Sequence, residues 1–267
     1  MALKVGLIGA GGLGGALARG LGWRPDMDLV LTDLDPAKAE ACIDAASRAQ
    51  LAPSAEEAAR DAEVVVLAVK PPHMASLVAS LAKVVKPTTL LVSCAAGVSL
   101  ASLEKARGKA PLARVMPNVG ASVGACTTAV VLGAGCEEAR DYERLETIFG
   151  VVGEVRRVKD EDHLHAITAL SGSGPAFVLL ALEAMEDAGV AAGLSRDDAA
   201  FFARGAFTAA AGLAAKEAVG PAVLRARVTS PGGTTIAGLG ALEKGAVRAA
   251  FWEAVEAATK RSRELGE

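Results

Sequence analysis

Two stretches of this sequence combine residue types that can hold a small anion. They are GAGGLG at positions 9–14 and SPGGTT at 230–235. The first follows an apolar run, LKVGLI (3–8), and precedes ALARGL, which has helical spacing. Strand, glycine turn and helix in that order make Gly9, Gly11 and Gly14 a dinucleotide-binding fingerprint. Gly9 makes the tight turn, Gly11 lets the backbone approach a pyrophosphate, and Gly14 lets helix and strand pack closely. Backbone N–H groups at the helix start, at Gly12 and Leu13 among them, then face the phosphates. Asp33 ends the next apolar run, DLVLTD (28–33), where a carboxylate accepts hydrogen bonds from an adenosine ribose and repels a 2′-phosphate. Leu34 and Asp35 follow with no arginine, so the site leans towards NADH over NADPH. Asp35 also reads as the cap of the next helix.

The elements that position these turns are legible as alternation. LKVGLI, DLVLTD, EVVVLAV (63–69) and TLLVSC (89–94) are near-continuous apolar runs, as parallel strands covered on both faces require. Weaker strands are expected at 112–116, 126–132 and 151–158. Helices begin between them at Asp35-Pro36, an N-cap followed by proline, and at Ser54 with Glu57, a capping box. The pattern predicts a doubly wound α/β sheet of Rossmann type over 1–159. Ala68, Val69, Lys70 and Pro71 close the 63–69 run at the edge where ligands bind such sheets. Lys70 is there either a contact to cofactor phosphate or substrate, or a solvated turn lysine.

From 160 to 267 no strand is expected, and this half reads as an all-helical domain. HLHAITALSGSGPAFVLLALEAMEDAGV looks like one long helix interrupted at Gly172–Pro175. A second helix opens on the capping box of Ser195 and Asp198, and the last runs from about 241. In SPGGTT, Pro231 ends what precedes it and Gly232-Gly233 permit close approach. Thr234 or Thr235 is expected to cap a helix beginning near Ile236. Such a helix start presents free N–H groups and a partial positive charge, and a small carboxylate fits there without an arginine. Taken alone, the same stretch also reads as an ordinary capped turn.

Composition bounds the rest. Hydrophobic residues make up 52% and charged residues 22%, a globular balance. Lys+Arg is 28 against Asp+Glu 31, without a basic block, which argues against a nucleic-acid partner. Cys42, Cys94, Cys126 and Cys136 share no CxxC spacing and read as reduced, buried thiols of an intracellular protein. The N-terminus does not read as a signal peptide, and no segment approaches 18 uninterrupted apolar residues, so a soluble cytoplasmic protein is expected. His163 and His165 lie two apart on a helix and point to different faces, so no metal site is expected. Arg156, Arg157 and Lys159 read as a solvated surface, Ser171 and Ser173 as tight helix packing, and Phe201, Phe202 and Phe207 as core or dimer interface.

These pieces, with RVMPN (114–118), SGSGPAF (171–177) and VTSPGGTTIAGLGALE (228–243, preceded by Leu224 four residues before Val228), resemble the pyrroline-5-carboxylate reductase family over nearly the whole chain. The resemblance implies a Rossmann domain followed by a helical dimerisation domain. Partner chains interlock their helices, and dimers assemble further, to a decamer in the largest form. It implies reduction of 1-pyrroline-5-carboxylate to L-proline with NADH or NADPH, the last step of proline synthesis. By the same resemblance Ser230, Gly232, Gly233, Thr234 and Thr235 hold substrate, Thr235 hydrogen-bonds the ring nitrogen, and Asn118 lies near the nicotinamide. Val119-Gly120 departs from the Thr-Pro the family commonly has after Asn118. A six-membered cyclic imine therefore stays open as substrate. A hydroxyacid reductase on the same plan would need a lysine on a helix of the second domain, and none lies between 165 and 200. A non-catalytic nucleotide-binding protein is the alternative of another class, and the intact SPGGTT argues against it.

Overall fold

The computed structural model describes residues 2–43 and 47–266. Its compact units are 1–172 with 258–267, and 173–257. The first unit alternates as its sequence runs require: β1 (Leu3–Ile8), α1 (Gly12–Leu21), β2 (Met27–Thr32), α2 (Pro36–Glu40), β3 (Gln50–Leu51), α3 (Ala55–Ala59), β4 (Val64–Leu67), α4 (Pro71–Leu81), β5 (Leu90–Ser93), α5 (Leu100–Arg107), β6 (Leu112–Met116), β7 (Cys126–Leu132), α6 (Glu138–Phe149) and β8 (Gly153–Arg157). Among the described residues the sheet has eight strands in the order β3-β2-β1-β4-β5-β6-β7-β8. β1 to β6 are parallel, β7 is antiparallel to β6, and β8 is parallel to β7. The two-residue β3 was not expected from sequence, because Gln50-Leu51 is too short to show a period.

Both faces of the sheet are covered, which explains the uninterrupted apolar runs. Val64 and Val66 pack with Leu90, Val92 and the α1 residues Leu17 and Leu21 on one side. Val65 and Leu67 pack with Leu91, Met74 and Leu81 on the other. The caps form as expected: Asp35 accepts from the Ala37 amide at 3.2 Å, and Ser54 from the Glu57 amide at 3.2 Å.

The second unit is helical. Its chain enters through α7 (His163–Ile167), a π-helical segment (Thr168–Ser173) and α8 (Gly174–Ala191). It continues through α9 (Arg196–Lys216), α10 (Pro221–Arg227), α11 (Thr234–Lys244) and α12 (Val247–Glu264), whose end returns to the first unit. The expected interruption at Gly172–Pro175 is not there. His163–Ala191 is one continuous helix. The wider π turn precedes Pro175, which then falls in the first turn of α8, where its missing N–H costs nothing. This helix is long and apolar enough, by length and composition, to cross a membrane, a property the count of uninterrupted apolar residues did not show. The last helix likewise starts later than expected. α11 and α12 are separated at Gly245-Ala246, where Ala246 takes a positive φ of 53°.

The compact first unit extends to Gly172, past the end of the last strand at Arg157. Leu164 and Ala169 are buried in it, and Arg114, itself buried, pairs with Glu161 at 2.5 Å. The first turns of the long helix therefore pack with the sheet.

Candidate active site

The glycine turn has the geometry its sequence demands. Gly9 takes a φ of +103°, and a Cβ there would lie 2.6 Å from the Ala68 carbonyl oxygen. A Cβ on Gly14 would lie 1.8 Å from the Gly9 oxygen. Gly11 and Gly12 face open space. Gly11 caps α1, and the amides of Gly12, Leu13 and Gly14 find no acceptor among the described residues. A bare, concave backbone with free N–H groups at a helix start fits a dinucleotide pyrophosphate.

Asp33 is more occupied than its sequence position suggests. One carboxylate oxygen accepts the Ala10 amide at 2.6 Å, and the other the Asp35 amide at 2.9 Å. The side chain thus ties the end of β2 to the glycine turn. Each oxygen keeps a second lone pair, so it can still accept a ribose hydroxyl. The Ala68 amide bonds the Ile8 carbonyl at 2.8 Å, which sets the end of β4 against the turn. Val69 is half-buried there. Lys70 caps α4 and is exposed with Pro71, and its amine pairs with no carboxylate among the described residues. Asn118 sits at the end of β6 and caps a 3₁₀ turn, Val119–Val123. Its side-chain amide donates to Thr127 at 3.1 Å and to Ser171 at 3.0 Å. Thr127 had no reading in the sequence, where a threonine at a strand start carries no signal.

In the second unit, the expected cap is absent. α11 begins at Thr234 with Gly233 as its N-cap and no side-chain capping bond, so Thr234 and Thr235 lie inside the first turn. Glycine permits the turn but offers no acceptor. The amides of Thr234, Thr235 and Ile236 consequently find no acceptor among the described residues. Gly232 has a φ of +66°, and a Cβ on Gly233 would lie 2.3 Å from the Ser230 hydroxyl oxygen. Ser230, Thr234 and Thr235 are exposed. The result is a helix start with three free donors and two hydroxyls, a fitting receptor for a carboxylate.

Other titratable groups have structural partners. His165 Nδ1 lies 3.0 Å from the Ser262 hydroxyl, and His163 faces Asp160 at 3.9 Å. Among the described residues no three His, Cys, Asp or Glu side chains converge as metal ligands would. Burial, with Cys126 adding to it, pushes the Cys94 thiol far above its ordinary range. Cys136 is pushed up to about 11, by burial first and the Asp141 carboxylate second. Neither is a thiolate nucleophile at neutral pH.

A doubly wound sheet with a dinucleotide turn, continued by helices carrying an open anion-binding helix start, defines a nicotinamide-dependent oxidoreductase of two-domain plan. Residues 161–265 match the pyrroline-5-carboxylate reductase dimerisation family, and residues 4–97 match the family described as NADP oxidoreductase, coenzyme F420-dependent. A pyrroline-5-carboxylate reductase of Arabidopsis thaliana is 40% identical, over 99% of this chain and 96% of its own. One of Pseudomonas aeruginosa is 39% identical, over 99% and 97%. The solved structure of a pyrroline-5-carboxylate reductase from Coxiella burnetii superposes with a TM-score of 0.93 at 31% identity, covering 100% of this chain and 99% of that one. That of Plasmodium falciparum, with NADP bound, gives 0.84 at 28%, covering 99% and 98%. The chain belongs to the pyrroline-5-carboxylate reductase family, and its helical region corresponds to that family's dimerisation domain.

Proposed function

We propose that this protein reduces 1-pyrroline-5-carboxylate to L-proline. The observation that carries the reading is the α11 start, where the free amides of Thr234, Thr235 and Ile236 stand beside the Thr235 hydroxyl. The amides, framed by Ser230, Gly232 and Gly233, bind the substrate carboxylate. A reduced nicotinamide held at the glycine turn would supply hydride to the imine carbon. The ring nitrogen takes a proton from solvent, so that imine, hydride and proton sum to the amine. Thr235 orients that nitrogen by hydrogen bonding. A threonine hydroxyl is too weak an acid to be the proton's ultimate source. Holding two reactants in register is worth up to about 7–11 kcal/mol, and the chemistry asks little more.

We read 1–159 as the cofactor domain and 160–267 as the dimerisation and substrate domain. Gly9, Gly11, Gly12, Leu13 and Gly14 would cradle the pyrophosphate, Ala68, Val69, Lys70 and Pro71 would line the crevice, and Asn118 would shape its far side. Asp33, with no arginine after it, supports NADH over NADPH. The exposed apolar residues Val178, Leu179, Leu180, Phe201 and Phe202 support burial against a second copy rather than lipid, with dimers as the unit of any larger ring such as a decamer. Four unpaired cysteines support a reducing, cytoplasmic setting. A net charge of −3 supports no nucleic-acid role. The test is loss of cofactor absorbance with purified protein and 1-pyrroline-5-carboxylate, run with NADH and NADPH in parallel. Absence of turnover with both would overturn the reading.

A further inference from the structure

We propose that Ser171 and Thr127 are positioning residues that act through Asn118 to hold the loop after β6 at the cofactor edge of the sheet. The proposal rests on the reading of the protein as a nicotinamide reductase. Asn118 Nδ2 has two hydrogens, and both are used: one on Thr127 Oγ1 at 3.1 Å, one on Ser171 Oγ at 3.0 Å. Its Oδ1 accepts the Gly120 amide at 3.0 Å. The two hydroxyls are themselves 2.7 Å apart. The amide is thus a joint between three segments rather than a group left free for a ligand.

The joint lies where it matters. β6 is parallel to β1, β4 and β5, so its end at Met116 shares an edge with the glycine turn. β7 runs back from that edge, which places Thr127 at its start. The 3₁₀ turn after Asn118 packs against α1, the helix whose start carries the free amides of Gly12, Leu13 and Gly14. Ser171 arrives from the other side on the π-helical segment, and a Cβ on Gly172 would lie 3.1 Å from Met116 Cε. A single widened turn in a long helix is a device often found at functional sites, because it re-aims one side chain. Here the side chain re-aimed is Ser171. Without the two hydroxyls the Asn118 donors lose their acceptors and the loop loses its register. The glycine turn and Asp33 still hold the rest of the cofactor.

The test compares Ser171→Ala, Thr127→Val and their double variant with Thr127→Ser, which keeps the hydroxyl. The readouts are NADH affinity, kcat and KM, the primary isotope effect with 4-deuterated NADH, the emission of bound NADH without substrate, and Tm. In the double variant kcat falls about tenfold and the isotope effect rises, because hydride transfer depends on sub-ångström placement. NADH affinity stays within about twofold, since the pyrophosphate site is untouched, and Thr127→Ser keeps wild-type kcat. Unchanged kcat and isotope effect, or a change in Tm alone, overturns the proposal. If the double variant does not fold, the single variants carry the same comparison. If the wild type does not reduce 1-pyrroline-5-carboxylate, the substrate reading fails. The clasp is then judged by bound-NADH emission, which must shift in the double variant.

Discussion

The two glycine-rich turns, both proposed above as anion sites, differ in how they are built. At 9–14 every constraint comes from within the domain. The Ala68 carbonyl blocks a side chain at Gly9, the Gly9 carbonyl blocks one at Gly14, and Asp33 clamps the Ala10 amide. At 230–235 only the Ser230 hydroxyl crowds Gly233, Gly232 faces open space, and no residue of α11 is buried in the single chain. The first turn is a rigid mould for a ligand with a fixed shape. The second is an exposed helix start with little packed against it. On the proposed reading, rigidity is thus placed where the larger reactant, the cofactor, would bind.

That contrast predicts different failures. Gly14→Ala forces a Cβ into the Gly9 carbonyl, so the turn must open. Cofactor affinity is expected to fall by at least about 100-fold, roughly 3 kcal/mol, with a lower Tm. Titration of NADH fluorescence checks this, and retained affinity would break the mould description. Thr235→Ala leaves the helix start intact and removes one hydroxyl. Its kcat/KM is expected to fall by roughly 10–100-fold while NADH affinity and Tm hold, because one oriented hydrogen bond in the reacting complex is lost. A matching loss of NADH affinity would mean that the two turns are not independent.

Smaller effects sharpen the comparison. Asp33→Ser removes both the repulsion of a 2′-phosphate and the clamp on Ala10. The NADPH-to-NADH ratio of kcat/KM is expected to rise by about tenfold, and NADH affinity should drop with it. A change in ratio without any drop would show that the clamp is dispensable. Gly232→Ala has no steric obstacle and meets only the cost of its φ of +66°, about 1–2 kcal/mol. Expected is a modest rise in the KM for 1-pyrroline-5-carboxylate with an unchanged fold, measured by steady-state kinetics and circular dichroism.

The same contrast explains what could be read from sequence. Strands such as Val64–Leu67 and the caps at Asp35 and Ser54 are legible because short-range physics decides them, and the glycine turn because its placement between strand and helix is itself the signal. The sequence points to a threonine cap for α11, because two threonines look like better caps than glycine. The structure instead leaves those amides free. The break expected at Gly172–Pro175 does not form, because a π turn at Thr168–Ser173, which has no sequence pattern of its own, lets Pro175 fall in the first turn of α8. Thr127 and the ion pair of buried Arg114 with half-buried Glu161 are invisible in the sequence for a further reason. Their partners, Ser171 and Glu161, lie more than forty residues away along the chain, and only the folded sheet brings them together.

The smallest expected effect separates the two units by pH. All four cysteines lie in the first unit, and none lies in 173–257. The Cys136 thiol donates to the Leu112 carbonyl at 3.0 Å, and burial with the Asp141 carboxylate raises it from 9.0 to about 11. A folded thiol that keeps its proton longer than the unfolded one stabilises the fold below pH 9, and that contribution drains away as pH rises towards 11. Partial solvent access reduces the effect to on the order of 1 kcal/mol. Cys94, raised in the same direction by deeper burial, extends the decline further. Cys136→Ser keeps a donor for Leu112 and removes the titration, so its unfolding midpoint should fall less steeply between pH 9 and 11 than that of the wild type. Equal slopes would mean that the Cys136 thiol contributes nothing measurable to the alkaline decline, and the stabilisation assigned to its retained proton would have to be given up.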